Sequence, residues 1–311
     1  MSASILVVGS VAFDSLKTPF GEADEILGGS ATYFSVAASY FAPVRVVAVV
    51  GSDFPDKHLE VFRKHKIDTT GLAQVQGKTF RWKGEYGYDL NEAKTLDTQL
   101  NVFETFKPVI PESYGSTEYV FLGNIDPELQ LSVLEQIKRP RVVACDSMNF
   151  WIKGKPEAVK RTIAHVDILI INDAETRMLA NEPNLVRAAN RIMAMGPKTL
   201  IVKRGEYGVL MFNGRSVFGA PAFPLEDVYD PTGAGDAFAG GFMGDLARAG
   251  SISPDHLRRA MVYGSALGSF AVERFGVERL IDLKPQDVHD RVQNFREITA
   301  FDHVPLLTAD A

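Results

Sequence analysis

The sequence predicts an α/β protein: a three-layer αβα sandwich around a mostly parallel central sheet, with a small β-sheet lid beside it. Three observations carry this. Short apolar, β-branched runs recur along the chain, helical patterns separate them, and two segments, about 17–27 and 79–106, break the alternation. Apolar runs bounded by polar residues or glycine read as strands buried on both faces. Strands alternating with helices argue for a parallel sheet covered on both sides.

In chain order, strands are expected at residues 5–8, 44–50, 120–122, 142–144, 168–171 and 200–202, and helices over 30–41, 55–66, 127–137, 156–165, 184–195 and 235–249. Ser30 is a good cap for the first helix. Asn172 with Glu175 three residues on opens another, over 173–180. Phe80-Arg81-Trp82-Lys83-Gly84-Glu85-Tyr86-Gly87-Tyr88 alternates aromatic and polar residues and reads as exposed antiparallel strand. Together with 17–27 it makes the expected lid. The tail after Ala300 is expected to be a surface extension.

The chain has 311 residues, enough for one large domain with an appendage. With 46% hydrophobic and 23% charged residues it suits a globular protein that buries a sizeable core. A net charge of −6 with scattered basic residues provides no footprint for nucleic acid or an anionic membrane. Cys145 is the only cysteine, so no intrachain disulfide can form, which suits a reducing compartment. The first apolar run is too short for a signal-peptide core and no stretch is long enough to span a bilayer; a cytoplasmic protein is expected.

The chemistry concentrates in Asp230-Pro231-Thr232-Gly233-Ala234-Gly235-Asp236-Ala237-Phe238. A glycine-rich turn entering a helix leaves backbone N–H groups unpaired, and these, with the positive end of the helix dipole, form an anion site. Asp236 follows directly. An anion site beside a carboxylate base is what moving a phosphoryl group onto a hydroxyl needs; the alternative is a turn whose Asp merely caps the helix. Other positions carry two readings each. Asn172 and Glu175 satisfy a capping box by themselves. Asp14 follows the first strand at the edge where ligands collect in open α/β sheets, or is a solvated loop residue. Gly28-Gly29 is a cap turn or a close approach of backbone to ligand. Gly205 and Gly208 form a hairpin turn or border a ligand, and Lys203 reaches a phosphate or ends its strand in solvent. Gly240 and Gly244 share one helix face and Gly264 and Gly268 another. The two faces pack backbone to backbone or leave a slot for an adenine, in which case Gly264→Leu weakens nucleotide binding more than acceptor binding.

Five elements in this order, Val8-Gly9-Ser10 with Asp14, Gly28-Gly29-Ser30, Asn172-Asp173-Ala174-Glu175, Val202-Lys203-Arg204-Gly205-Glu206-Tyr207-Gly208 and the Asp230–Phe238 segment, resemble the ribokinase-like (PfkB) carbohydrate kinases over nearly the whole chain. The resemblance implies a kinase domain over 1–300 with a 301–311 extension, using ATP and Mg2+ to phosphorylate a hydroxyl of a small sugar or sugar-like acceptor. It implies Asp236 as general base, with the amides of Gly233, Ala234 and Gly235 on the transferred γ-phosphoryl. Asp14, Gly28, Gly29 and Ser30 would face the acceptor, Asn172, Gly205 and Gly208 the nucleotide, and Glu175 a magnesium-bound water. Asp230 and Thr232 match one side of a monovalent-cation site, which raises K+ as an activator. A helix N-terminus favours ionised Asp236, so a weak but permanently available base is expected.

Relatives acting on ribose-like sugars commonly carry Asn where this chain has Ala12, and a further Asn in the di-glycine helix, which here reads Gly28-Gly29-Ser30-Ala31-Thr32-Tyr33. Hydroxyl contacts are fewer and aromatic surface is greater: Phe13, Tyr33, Trp82, Tyr86 and Tyr88 stand near the expected acceptor pocket or pack the lid. Stacking on a base raises a nucleoside acceptor as the alternative; a non-catalytic sensor is a further one. Arg81 in the lid binds an anionic or polyol acceptor or lies on a solvated face. The expected state is a monomer, or a homodimer paired through the lid.

Overall fold

The computed structural model describes residues 3–91 and 93–301. The expected extension, 301–311, therefore lies outside the described residues except for Phe301. The strands are β1 (Ile5–Val8), β2 (Ala12–Thr18), β3 (Gly21–Gly28), β4 (Val44–Gly51), β5 (Asp68–Val75), β6 (Phe80–Tyr86), β7 (Ala93–Gln99), β8 (Tyr119–Leu122), β9 (Val142–Cys145), β10 (Ile168–Asn172), β11 (Thr199–Lys203), β12 (Val209–Asn213) and β13 (Ser216–Ala220). The helices are α1 (Ser30–Ser39), α2 (Asp56–Lys64), α3 (Pro127–Leu134), α4 (Asn149–Gly154), α5 (Pro156–Ile163), α6 (Asp173–Ala180), α7 (Leu185–Met193), α8 (Ala234–Ala249), α9 (Pro254–Ala271), α10 (Glu278–Ile281) and α11 (Pro285–Thr299).

The large sheet runs β13-β12-β11-β10-β9-β8-β1-β4-β5. Its strands pair in parallel from β5 to β11, and β12 and β13 add an antiparallel edge. Alternate strand residues feed two cores. Ile5, Val7, Phe121, Ala144, Ile170 and Ile201 pack under α1, α8 and α9. Leu6, Val8, Leu122, Val143, Ile171 and Val202 pack under α3, α5 and α7. This is why each central strand is apolar throughout rather than alternating.

A second sheet, β3-β2-β6-β7, stands apart from the first. It differs from the expected lid at two boundaries. Residues 12–18 are a lid strand, so Asp14 sits on β2 rather than in a loop. Residues 100–106 leave the lid: Phe103 stacks between Phe80 and Phe106, and Phe106 is buried in the core of the main body. Among the described residues no helix is long and apolar enough to cross a membrane.

Candidate active site

The parallel strands end on one edge of the large sheet, and the chemistry-bearing residues gather there. Gly233 takes a left-handed φ of 73° as N-cap of α8, and a Cβ at that position would run into the Tyr33 ring. Only glycine gives this turn at no steric cost. The Ala234 amide is held by Pro231 O at 3.3 Å. Among the described residues, the amides of Gly235 and Asp236 find no backbone acceptor, as a helix start leaves them. Asp236 follows on the first turn, and its Oδ1 is buried without a hydrogen-bond partner.

Asp236 differs from the expected permanently ionised base. Burial, with Asp146 adding repulsion, pushes its carboxyl up to about 7, against the pull of Lys203. The helix N-terminus is outweighed by loss of water.

Sequence reasoning missed Asp146. It follows β9 directly, and its Oδ2 lies 3.2 Å from Lys203 Nζ, while Ser147 N donates to Oδ1 at 2.7 Å. Its signal was its place: a carboxylate at the C-terminal end of a buried strand. Lys203 ends β11 beside Asn172 on β10. Its ammonium stands where a Cβ on Gly235 would come within 2.7 Å, so it lies against the anion-site turn and not in solvent. Burial opposes its charge, but Asp146, Glu175 and Asp236 hold its pKa above the ordinary value.

Asn172 and Glu175 form the capping box of α6: Glu175 N donates to Asn172 Oδ1 at 2.7 Å, and Asn172 N to Glu175 Oε2 at 2.8 Å. The capping reading is therefore realised, and the box holds a buried carboxylate next to Asp146. Burial, then Asp146, raises Glu175 to about 7. Among the described residues no three His, Cys, Asp or Glu side chains cluster tightly enough to hold a metal ion alone. Two carboxylates at the strand edge fit Mg2+ carried chiefly by phosphate oxygens and water.

On the lid side, Asp14 is buried, and burial, followed by repulsion from Asp230, raises it to about 7; the Gly29 amide draws it back. A Cβ at Gly28 would collide with the Asp14 carboxylate, and one at Gly29 (φ 93°) with the Ser10 backbone. Both glycines thus permit close approach. Tyr33 lies among Asp230, Asp14, Tyr86 and Asp236, all of which raise its pKa after burial does; its hydroxyl is buried without a partner. Thr232 donates its hydroxyl to Tyr86 at 3.1 Å, tying lid to signature loop.

Several expectations are corrected. Arg81 does not join this group. It pairs across the lid with Phe13, not Asp14, and its guanidinium is taken by Asp53 at 2.9 Å, Glu25 and Thr79 O, over the Phe13 ring. Phe13 itself packs on Phe54 and His58 of the main body. Ser30 is not the helix cap: Gly29 is, and Ser10 and Ser30 exchange amide-to-hydroxyl bonds at 3.1 and 3.0 Å. Asp230 accepts from Thr232 N at 2.9 Å and Gly276 N at 2.8 Å. Its carboxylate thus clamps the signature loop to the loop after α9.

Beyond α8 opens a cleft of about 1010 Å³, lined by Lys203, Gly205, Gly208, Gly235, Phe238 and Gly268. Gly208 (φ 82°) packs on the backbone at Ala220–Ala222. Gly264 is not brought to the cleft: a Cβ there would lie 2.8 Å from Phe238 O, inside the α8–α9 contact. The α8 turn, with its free amides, thus lies between a large cleft and the buried carboxylate of Asp14 on the lid, with the partnerless carboxylate of Asp236 at the junction. That arrangement can move a phosphoryl group from one side to the other.

Comparison with known proteins bears on this geometry. Residues 4–282 match the pfkB family carbohydrate kinases. The chain is similar to the cytidine kinase of Thermococcus kodakarensis, 31% identical over 254 residues that cover 78% of this chain and 88% of that one. Its fold is similar to the ribokinase of Giardia lamblia (TM-score 0.79, 18% identity, 95% of this chain and 100% of that one). An E. coli protein described as a ribokinase II, solved with ATP and Mg2+, gives a TM-score of 0.77 at 17% identity, covering 94% and 99%.

Proposed function

The chain belongs to the pfkB family of carbohydrate kinases, and from that premise we propose that Asp236 is the base of an ATP-dependent phosphoryl transfer to a hydroxyl of a sugar or nucleoside. One observation carries the assignment. Asp236 Oδ1 is buried with no partner, one residue from amides that are themselves free. A buried polar atom left bare costs free energy unless a ligand satisfies it.

The acceptor lies under the lid with hydroxyls on Asp14 and on the bare Tyr33 hydroxyl. Its reacting hydroxyl donates to Asp236. The nucleotide lies in the 1010 Å³ cleft, its γ-phosphoryl on the amides of the α8 turn. Lys203 offers its ammonium to the same phosphoryl oxygens. Asn172, Gly205 and Gly208 border the phosphates. Positioning and charge stabilisation do most of the work in such transfers. Glu175 and Asp146 would hold the waters of a bound magnesium ion, which would draw charge from the phosphate oxygens. The clamp Asp230 makes between Thr232 and Gly276 orients the carbonyls of both loops, which suits a monovalent cation such as K+. Residues 1–300 act as one catalytic unit.

The test is ADP release with a panel of sugars and nucleosides, in wild type and Asp236→Asn. The variant is expected to bind ATP normally and lose roughly 10²–10⁴-fold in kcat, the span of general-base catalysis. A kcat within a few-fold of wild type would remove Asp236 from the role.

A further inference from the structure

Resting on the kinase reading above, we infer that the acceptor is a nucleoside whose base seats on Trp82. The lid sheet has two chemically distinct faces. Strands β2 and β6 pair in parallel with Asp14 opposite Trp82 and Leu16 opposite Gly84, so Asp14, Trp82, Gly84 and Tyr86 share one face. That face is turned to the site: Tyr86 meets Thr232, and Thr18, on the same face, donates to Tyr229 O at 2.9 Å. The other face carries Lys17, Lys83 and Glu85, with Lys17 ion-paired to Glu85 and Glu22 in solvent.

On the inner face the six-membered ring of Trp82 lies over Gly84, where any Cβ would strike it. Its Nε1 donates to Thr95 Oγ1 at 3.3 Å on β7, fixing the ring from the side. The lid thus holds an indole, half-buried, on the same face as Asp14 and one strand over. Such a surface suits a flat aromatic group. The charges narrow the acceptor further. Arg81 is on the opposite face and already paired, while Asp14, Asp230 and Asp236 are close enough to raise one another's or Tyr33's pKa. An acceptor bearing a phosphate or carboxylate meets these carboxylates, while the guanidinium of Arg81 is held by Asp53 and Glu25. A neutral polyol joined to a planar ring matches both features.

The chain has two tryptophans, so Trp151→Phe leaves Trp82 as the sole tryptophan, whose emission is read by selective excitation of indole. Titrating that protein with cytidine or adenosine is expected to quench its emission saturably, while ribose and myo-inositol at the same concentration do not. Trp82→Ala is expected to raise the nucleoside KM roughly 5- to 100-fold, the range of one base–aromatic stack. Its KM for ATP should stay within twofold, and Trp82→Phe should recover part of the loss. Gly84→Val, which displaces the ring without removing it, should reproduce the rise. Turnover of ribose or inositol but of no nucleoside, or an unchanged nucleoside KM in Trp82→Ala, overturns the inference. No turnover with any acceptor counts against the catalytic reading instead, and the quenching still decides for or against a nucleoside.

Discussion

Asp236, Glu175 and Asp14 are each buried and each raised to about 7. For activity the sign is simple: a base must be deprotonated, so kcat/KM is expected to fall about tenfold per pH unit as pH drops below 7. For stability the sign is opposite. The folded protein holds protons that the unfolded chain, with carboxyls near 4, has released. This contribution is complete below the unfolded values and is lost as pH rises through about 7. The unliganded protein should therefore melt at a lower temperature at pH 8.5 than at pH 6. Asp236→Asn removes one of these burdens and should stabilise the protein at both pH values, by about 1 kcal/mol more at pH 8.5 than at pH 6, the part of the loss that accrues as pH passes 7. Thermal melts of both proteins at both pH values check this; equal shifts at the two pH values would contradict it. Asp236 was legible in the sequence because its motif is dense. Its titration was not, because burial outweighs the helix dipole and burial comes from segments distant in the chain, such as the strand end at Asp146.

Helices α8, α1 and α9 show how far element-level patterns reach. The small-residue faces at Gly240/Gly244 and Gly264/Gly268 were visible, but their partners were not. Gly240 packs on the backbone of Phe34 in α1 and Gly244 on Phe41 just past the end of α1, while Gly241 lies 2.9 Å from Tyr263 O of α9, measured from an added Cβ. Glycines four apart share a face, and a position one step on points about a quarter-turn away. α8 therefore needs glycine on two sides. The expected adenine slot at Gly264 is filled by Phe238. Gly264→Leu is accordingly expected to cost roughly 1–3 kcal/mol of stability by overpacking and to leave the ATP KM of the folded enzyme within twofold. A several-fold rise in that KM with an unchanged melting temperature would restore the slot. The central strands were readable because both faces are buried. β5 and β13 were not, because they edge the sheet and carry largely exposed residues, so they look like loops.

At the scale of the whole molecule, the lid is tied to the main body from both sides of the site. Asp53, in the loop after β4, accepts from Thr79 N and Oγ1 at 2.7 Å each and pairs with Arg81. At the far end the lid turn sets Asn91 where a Cβ on Gly205 would stand, bringing the lid and the Gly205–Gly208 loop together. The sequence showed that a lid exists, from its break in periodicity, but not which way its side chains face. That direction depends on register with β2, which was hidden inside a loop. Hence the sequence left Arg81 as an acceptor ligand or a solvated side chain, whereas in the structure it pairs with Asp53 of the main body and Glu25 of the lid, contacts that suit a latch. A latch that holds the lid shut keeps water from the phosphoryl group. Arg81→Met keeps the stem over Phe13 and removes the charge. It is expected to raise the acceptor KM several-fold and to release more ADP than phosphorylated acceptor, as water competes for transfer. If Arg81 bound the acceptor's own charge, the two products would stay equal and acceptor preference would shift towards uncharged compounds. Quantifying both products in one reaction separates the two roles.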